Sequence, residues 1–366
     1  NGAALTMDNI LVNTNGAHAN GVFSYGEGTV VSISDSVIET SGNCSGGLMT
    51  TGGGTMNATN LNVHTSGNSS AAIRSDRGGG TVTVNGGSYI TDGTGSPVIY
   101  STADITVNDA YLESTASQGV VVEGQNSVTL NGVTLVADNN TKNSDKSDYY
   151  QAVMIYQSMS GDADEGLASF SMTDGSLTNV NGDIFFVNNT VATVTLENVE
   201  IVNQDENGVF LRAEAAGWGS EGSNGGKVNL YLVNQSVNGD IVVDEVSALN
   251  MYLTDGSTYE GAINADNEGE VYLEIESGST WTLTGDSYIT SLTCDTGCID
   301  LNGHTLYVNG VAYSEGTASE GTAITLATGS STSNPTDRPD GNPPEMPDGN
   351  GGPGGDGNEP PARPED

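Results

Sequence analysis

The sequence predicts an all-β protein: a right-handed parallel β-helix, a solenoid of about 11 coils, followed by a Pro/Gly-rich tail. Three observations predict it. A short strand motif, apolar-x-apolar-x-Asn/Asp, returns about every 21–26 residues over most of the 366-residue chain. Apolar and polar residues alternate over four to six positions, the mark of a half-buried strand, while helical i, i+3, i+4, i+7 spacing is almost absent. The 51 glycines, with abundant Asn, Asp, Ser and Thr, suit a turn after every strand, because these residues tolerate or stabilise the left-handed backbone region.

The motif begins at Leu5, Val31, Met56, Val82, Ile105, Val128, Phe170 and Val194, and later copies begin at Val228, Leu249 and Val271. A coil of this length fits three short parallel strands and three turns, and the crossover rule makes it right-handed. Two steps are long, 42 residues from Val128 to Phe170 and 34 from Val194 to Val228. Insertions in a solenoid become loops on one face and often carry function. The last copies have longer strands, so the cross-section is expected to change there. The Asn or Asp that closes each first strand reads as a structural corner row, satisfying backbone groups at the turns. Coils occupy residues 1–313. Residues 314–366, Ser/Thr/Gly-rich and then Pro/Gly/acidic, cannot bury a core and are expected to be a disordered linker or tail.

Lys plus Arg is 8 against 47 Asp plus Glu, a net charge of −39. Such a surface repels nucleic acid and anionic membranes and suits divalent cations or solubility outside a cell. No apolar run is long enough to span a bilayer. No signal peptide is visible; since Asn1–Asn9 already reads as part of a coil, the chain is expected to be a processed or excised piece. Cys294 and Cys298 either close a disulfide across a short polar loop or stand as two thiols on separate sides of a turn; Cys44 is left over. No zinc spacing is present, and His18, His64 and His304 are scattered.

A second strand aligns in each coil, from Val22-Phe23-Ser24-Tyr25 to Ile263-Asn264-Ala265-Asp266. Its first and third positions are mostly aliphatic and should point inward, so the second and fourth point outward. The fourth column then reads Tyr25, Thr51, Arg74, Tyr100, Glu123, Tyr156, Val187, Arg212, Asp244, Asp266. The second column is apolar or aromatic: Phe23, Met49, Val98, Val121, Met154, Phe185, Phe210, Val242. An exposed apolar stripe beside Tyr, Arg and acids points to a partner site. Sugars suit it: aromatic faces cover C–H surfaces, and Arg74 and Arg212 can grip uronic carboxylates. The ligand-binding candidates are Tyr25, Arg74, Tyr100, Glu123, Tyr156, Arg212, Asp244 and Asp266. The opposing reading is that the inserted loops fold over the stripe and make Phe185 and Phe210 core residues. A one-residue slip in any coil would also swap its columns.

Asp162-Ala163-Asp164-Glu165-Gly166 opens like a calcium loop, with Asp162, Asp164 and Glu165 as candidate ligands, but Thr173 stands where an EF-hand needs Glu. Asp183 and Asp240, each in an Asn-Gly-Asp-Ile run, read as turn caps before metal ligands.

The runs Gly80-Thr81-Val82-Thr83-Val84-Asn85-Gly86-Gly87-Ser88 and Gln125-Asn126-Ser127-Val128-Thr129-Leu130-Asn131-Gly132-Val133, with the tail Pro343-Pro344-Glu345-Met346-Pro347-Asp348-Gly349, resemble clostridial-type carbohydrate-binding β-helix proteins. These are secreted or cell-surface proteins of Gram-positive bacteria with a pectate-lyase-like fold. The resemblance covers most of residues 1–313 and implies binding of acidic plant polysaccharide and bound calcium. The aspartate cluster of pectate lyases is not in the sequence. Of the polygalacturonase motifs only Gly303-His304-Thr305 has a faint echo, without partners. The expectation is a non-catalytic extracellular protein that binds acidic glycan, with calcium as possible cofactor and no catalytic residues. The alternatives are a structural stalk or protein adhesin, and a polysaccharide lyase using Arg212 beside Asp244.

Overall fold

A computed structural model describes residues 2–327 and is all-β, with stacked parallel strands forming a solenoid of about eleven turns. The largest sheet has 16 strands and runs from Ala4–Asp8 to Ser291–Cys294; the second has nine, from Val22–Tyr25 to Ile241–Val243. Among the described residues every strand pair is parallel except Leu306–Val308 with Val311–Ala312, and one isolated antiparallel bridge joins Cys294 and Ser319. From Ser236 onward the third face becomes a separate four-stranded sheet, so the cross-section does change over the last coils.

The repeat motif supplies the innermost ladder. Leu5, Val31, Met56, Val82, Ile105, Val128, Phe170 and Val194 stand in one register row. The next member is Leu230, not Val228. The two-residue offset keeps the parity of the strand, so the inward face is unchanged. Three aromatic rings pack together in the interior: Phe170 against Phe185 at 5.6 Å, and Phe185 against Phe210 at 5.6 Å, both edge-to-face.

The Asn/Asp corner row is structural as expected. Asn9, Asp35, Asn60, Asp109, Asp174 and Asn198 all have φ between 44° and 57°, the left-handed region these residues tolerate. They also bond each other along the stack, Asn60 Nδ2 to Asp35 Oδ1 at 2.6 Å and Asn198 Nδ2 to Asp174 Oδ1 at 2.7 Å.

A second corner is built from Thr-x-Gly-x-x-Ser, a signal that the strand motif overshadows in the sequence. In Thr40–Ser45, Thr65–Ser70 and Thr91–Ser96 the threonine hydroxyl donates to the serine carbonyl of its own coil at 2.5–2.7 Å. Each serine Oγ accepts the backbone N–H of the equivalent residue one coil earlier, as in Ser45 N to Ser70 Oγ and Ser70 N to Ser96 Oγ, both 2.9 Å. Glycine is required here by contact: a Cβ on Gly42 would lie 2.0 Å from the Gly16 carbonyl oxygen.

One expectation needs correction, and one open alternative is resolved. Residues 314–327 are not a free tail but a strap laid back across the outer face of the first sheet. The Ser319 and Cys294 backbones bond each other, the Asn250 amide bonds both backbone groups of Ile324, and Lys227 Nζ reaches Ala327 O at 3.0 Å. The remainder of the expected tail, 328–366, lies outside the described residues. Cys294 and Cys298 are both buried and free, the second of the two readings; Cys294 Sγ packs against Tyr313 and Thr317.

Candidate binding cleft

Register fixes which side chains leave the second sheet outward. One row runs Phe23, Met49, Arg74, Tyr100, Val121, Met154, Phe186, Arg212, Val242. A second row holds Glu123, Tyr156 and Asn188. The columns expected from the sequence were therefore mixed. Arg74, Tyr100 and Arg212 are outward but belong to the row of Val121. In the coil of Val187 the alignment slipped by one residue: Val187 and Phe185 point inward and Phe186 points out. Val98 and Phe210 are also core residues, fully buried at a corner before the strand.

The apolar part of the outward row is not bare. Val121, Met154, Tyr156 and Phe186 form a second apolar cluster, separate from the solenoid core, with Tyr149 and Trp218 packed against it. Tyr149 comes from the first long insertion and Trp218 from the second. Trp218 meets Tyr156 edge-on at 5.2 Å. The reading in which loops cover the stripe holds for this stretch. The physical reason is that Phe186 and Met154 on a sheet face expose too much apolar area to be left in water.

Arg212 sits at one end of this covered patch and is fully engaged. Its Nε donates to Asp183 Oδ2 at 2.7 Å, its Nη1 to Glu214 Oε2 at 3.1 Å, and its guanidinium lies 3.7 Å from the Tyr149 ring centre. Burial opposes its charge, but the bond to Asp183 and that carboxylate's charge outweigh burial, so the Arg212 pKa is raised. A protonated, ion-paired guanidinium is no base, and the pairing of Arg212 with Asp244 does not exist. Asp244 instead accepts the Ala215 N–H at 2.8 Å. Asp183 and Asp240 do cap turns, accepting the N–H groups of Val209 and Ala262. Arg74 is likewise committed, to Asp76 Oδ2 at 2.9 Å and to the Ser69 carbonyl.

At the other end Tyr100, Glu123 and Tyr156 converge. Both phenols donate to Glu123 Oε2, Tyr156 at 3.3 Å. Glu123 is fully buried, and its Oε1 has no hydrogen-bond partner. Burial pushes the Tyr100 and Tyr156 phenols well above their ordinary value, with the Glu123 charge adding to the shift. Both hydroxyls therefore stay protonated donors.

Above these phenols lies a cleft of about 130 Å³, walled by Tyr100, Tyr156 and Trp218 and by Tyr149, Tyr150 and Lys142 of the first insertion. Lys142 Nζ stands 5.3 Å from the Tyr150 ring centre and donates to Asp148 O at 2.8 Å; Lys146 Nζ stands 5.7 Å from the Trp218 ring centre. These are two of the three lysines in the whole sequence.

Of the eight sequence candidates, only Tyr100 and Tyr156 line the cleft, with Glu123 buried beneath their hydroxyls. Tyr25 is 56% exposed in the first coil beside Phe23, and Asp266 is an exposed turn residue. Sequence reasoning missed Tyr149, Tyr150, Trp218, Lys142 and Lys146. The available signal was aromatic and lysine residues interleaved within the insertions of an otherwise acidic chain.

The calcium-loop residues do not assemble. Asp162 pairs with Arg77, and the Asp164 carbonyl accepts the Gln125 N–H. Burial alone would raise the Asp162 carboxyl, but hydrogen bonds from Arg77 and Ser160 and the nearby arginine charges hold it below its ordinary value. Among the described residues no group of three or more His, Cys, Asp or Glu side chains is placed to hold a metal ion. No helix among them is long and apolar enough to cross a membrane. No protein-family model, curated protein or solved structure matches the chain.

Proposed function

We propose that the protein is a non-catalytic, extracellular polysaccharide-binding solenoid, and that the loop-roofed cleft takes an acidic sugar. The observation that carries this reading is the lining of the cleft. Aromatic faces supply surface for sugar C–H groups, Tyr100 and Tyr156 supply hydroxyls, Lys142 lines the cleft, and Lys146 stands beside the ring of its wall residue Trp218. In a protein of net charge −39, lysines gathered at one aromatic cleft are the local positive feature that a uronic carboxylate needs. The acidic-glycan reading thus moves from Arg74 and Arg212, which are ion-paired, to Lys142 and Lys146. The resemblance to secreted Gram-positive carbohydrate-binding β-helices agrees with this reading and with a location outside the cell.

The test is affinity electrophoresis through gels containing polygalacturonate, with calcium or with a chelator. The native protein is expected to be retarded, with no unsaturated-uronide absorbance. Trp218→Ala, and Lys142→Ala combined with Lys146→Ala, should each weaken retention by about tenfold, ~1.4 kcal/mol. Added salt should weaken the native protein but not the double lysine variant. Equal retardation of all three proteins would remove the cleft as the binding site.

A further inference from the structure

The third face of the solenoid has an edge in mid-molecule that neither the cleft nor the strap uses. Its inward row runs in register through Val63, Tyr89, Leu112, Leu135, Leu177 and Ile201. The first five are fully buried, and Ile201 is only partly so. The next coil leaves the row. Glu197 still pairs with Val233, and both coils turn at a left-handed asparagine, Asn198 and Asn234. Past that corner the strands separate. Among the described residues Glu200–Asn203 pairs only with Leu167–Asn179, and Ser236–Asn238 only with Thr258–Glu260. The cause is length. The two coils rejoin where the Phe210 N–H donates to the Asp240 carbonyl at 2.9 Å. The chain takes nine positions from Ile201 to Phe210 but three from Val237 to Asp240. The shorter coil cuts the corner and leaves the longer one as a step.

The step exposes backbone groups of known direction. In a parallel ladder alternate residues face alternate neighbours. The Gln204 N–H bonds back to the Asn179 carbonyl at 2.8 Å, so Val199, Ile201 and Asn203 face the step. At Val199 the edge is taken by a side chain. Gln235 Oε1 accepts the Val199 N–H and Gln235 Nε2 donates to the Val199 carbonyl, both at 2.7 Å. These are the acceptor and donor that an added strand presents to an edge. Gln235 is 2% exposed, so this amide is a fixed plug. Two positions on, Ile201 presents the same N–H and C=O with no strand beside it.

Charge selects the strand that fits. Glu197, Glu200 and Glu206 are exposed around the step. The only Lys or Arg between residues 190 and 300 are Arg212 and Lys227, and both are committed elsewhere. A second copy pairing edge to edge would bring these carboxylates together and be repelled. The strap meets the first sheet at Lys227, at the start of Gly226–Val233, whereas the step lies beyond the other end of that strand. We propose that the edge of Glu200–Asn203 takes an extended segment of a basic partner protein by strand addition. Its Lys or Arg side chains alternate outward beside Glu200, and an aliphatic side chain rests inward on Ile201. The site recognises protein and does not depend on the sugar reading of the cleft.

The experiment uses the full chain and the peptide acetyl-Lys-Val-Lys-Val-Lys-amide. Hydrogen exchange is read at Ile201 and affinity from the anisotropy of the labelled peptide. In the free protein the Ile201 amide should exchange at least tenfold faster than that of Val202, whose N–H lies in the ladder. Peptide should slow Ile201 at least tenfold. The same peptide N-methylated at every residue keeps its charge and loses its backbone donors; it should bind about tenfold more weakly and leave Ile201 exchange unchanged. Ile201→Pro removes an N–H that has no partner in the fold, and Glu200→Lys reverses the nearest charge; each should weaken binding about tenfold at unchanged melting temperature. The two-peptide comparison needs only the native protein, so it decides the proposal even if Ile201→Pro melts early. Equal binding of the two peptides would reduce the interaction to charge and overturn strand addition. Ladder-like protection of Ile201 in the free protein, or unchanged exchange there with peptide bound, would overturn it as well.

Discussion

Arg212 shows how one residue can be placed correctly and assigned wrongly. Its outward direction follows from strand parity, and the structure agrees. Its partners do not follow from parity. Asp183 lies 29 positions earlier and reaches it only because the preceding coil brings that side chain to the same edge. Asp183 is 5% exposed and Arg212 12%, so removing the cation leaves a buried, uncompensated carboxylate. Arg212→Ala is expected to destabilise the fold by about 3–5 kcal/mol, read from urea denaturation. A fall well below ~1 kcal/mol would show that the pair is solvated and free to meet a ligand. Glu123 is the opposite case. Position alone marked it as a face residue, and the phenols of neighbouring coils turned it into a buried acceptor with one oxygen unsatisfied.

The elements that hold the coils in register are the corners as much as the strands. Each serine of the Thr-x-Gly-x-x-Ser corner satisfies a buried N–H of the previous coil, so the loss of one hydroxyl is felt by its neighbour. Ser70→Ala orphans the Ser45 N–H and is expected to cost about 1–3 kcal/mol. Hydrogen exchange should locate the effect at Ser45, with a large rise in that amide's rate; unchanged exchange there would remove the ladder as a source of stability. The insertions are a different kind of element. Their length was visible as two long steps in the repeat, whereas their path over the second sheet was not. That path depends on Tyr149 finding apolar cover on Phe186, 37 positions away, and Trp218 on Tyr156, 62 positions away. The strap of residues 314–327 was hidden for a related reason. Its composition resembles a linker, but Asn250, Ser291 and Thr293 present a complementary row of side chains that only the folded sheet creates.

At the scale of the molecule, a solenoid buries its tyrosines coil by coil, and base should expose that. Burial raises the phenols of Tyr89, Tyr100, Tyr156 and Tyr259 above their ordinary value of 10.0. Tyr272 is pushed up to about 12, first by burial and then by its bond to Glu274. A group whose folded pKa is raised leaves stability intact below its unfolded pKa, and that stability is lost as pH rises through the folded value. The expected titration therefore has two phases. Exposed tyrosines ionise reversibly, and the buried set ionises only together with loss of near-ultraviolet dichroism. A single reversible phase with the dichroism intact would contradict the packing described above.

The repeat, the alternation within it and the Asn/Asp corners determined the architecture, because each coil makes nearly the same local choices and stacks on its neighbour. Those same signals placed Tyr100, Glu123 and Tyr156 on one outward surface. They could not determine which surface groups remain available. Strand parity says whether a side chain points in or out, but availability depends on what the insertions and the strap lay over it. Only the tertiary structure decided that Arg74 and Arg212 are neutralised by carboxylates, that Phe186 is roofed, and that Lys142 and Trp218 frame a cleft with Lys146 against the Trp218 ring. The physical reason is that ion pairing and apolar burial act between groups that are distant in sequence, while periodicity records only each residue's relation to its own strand.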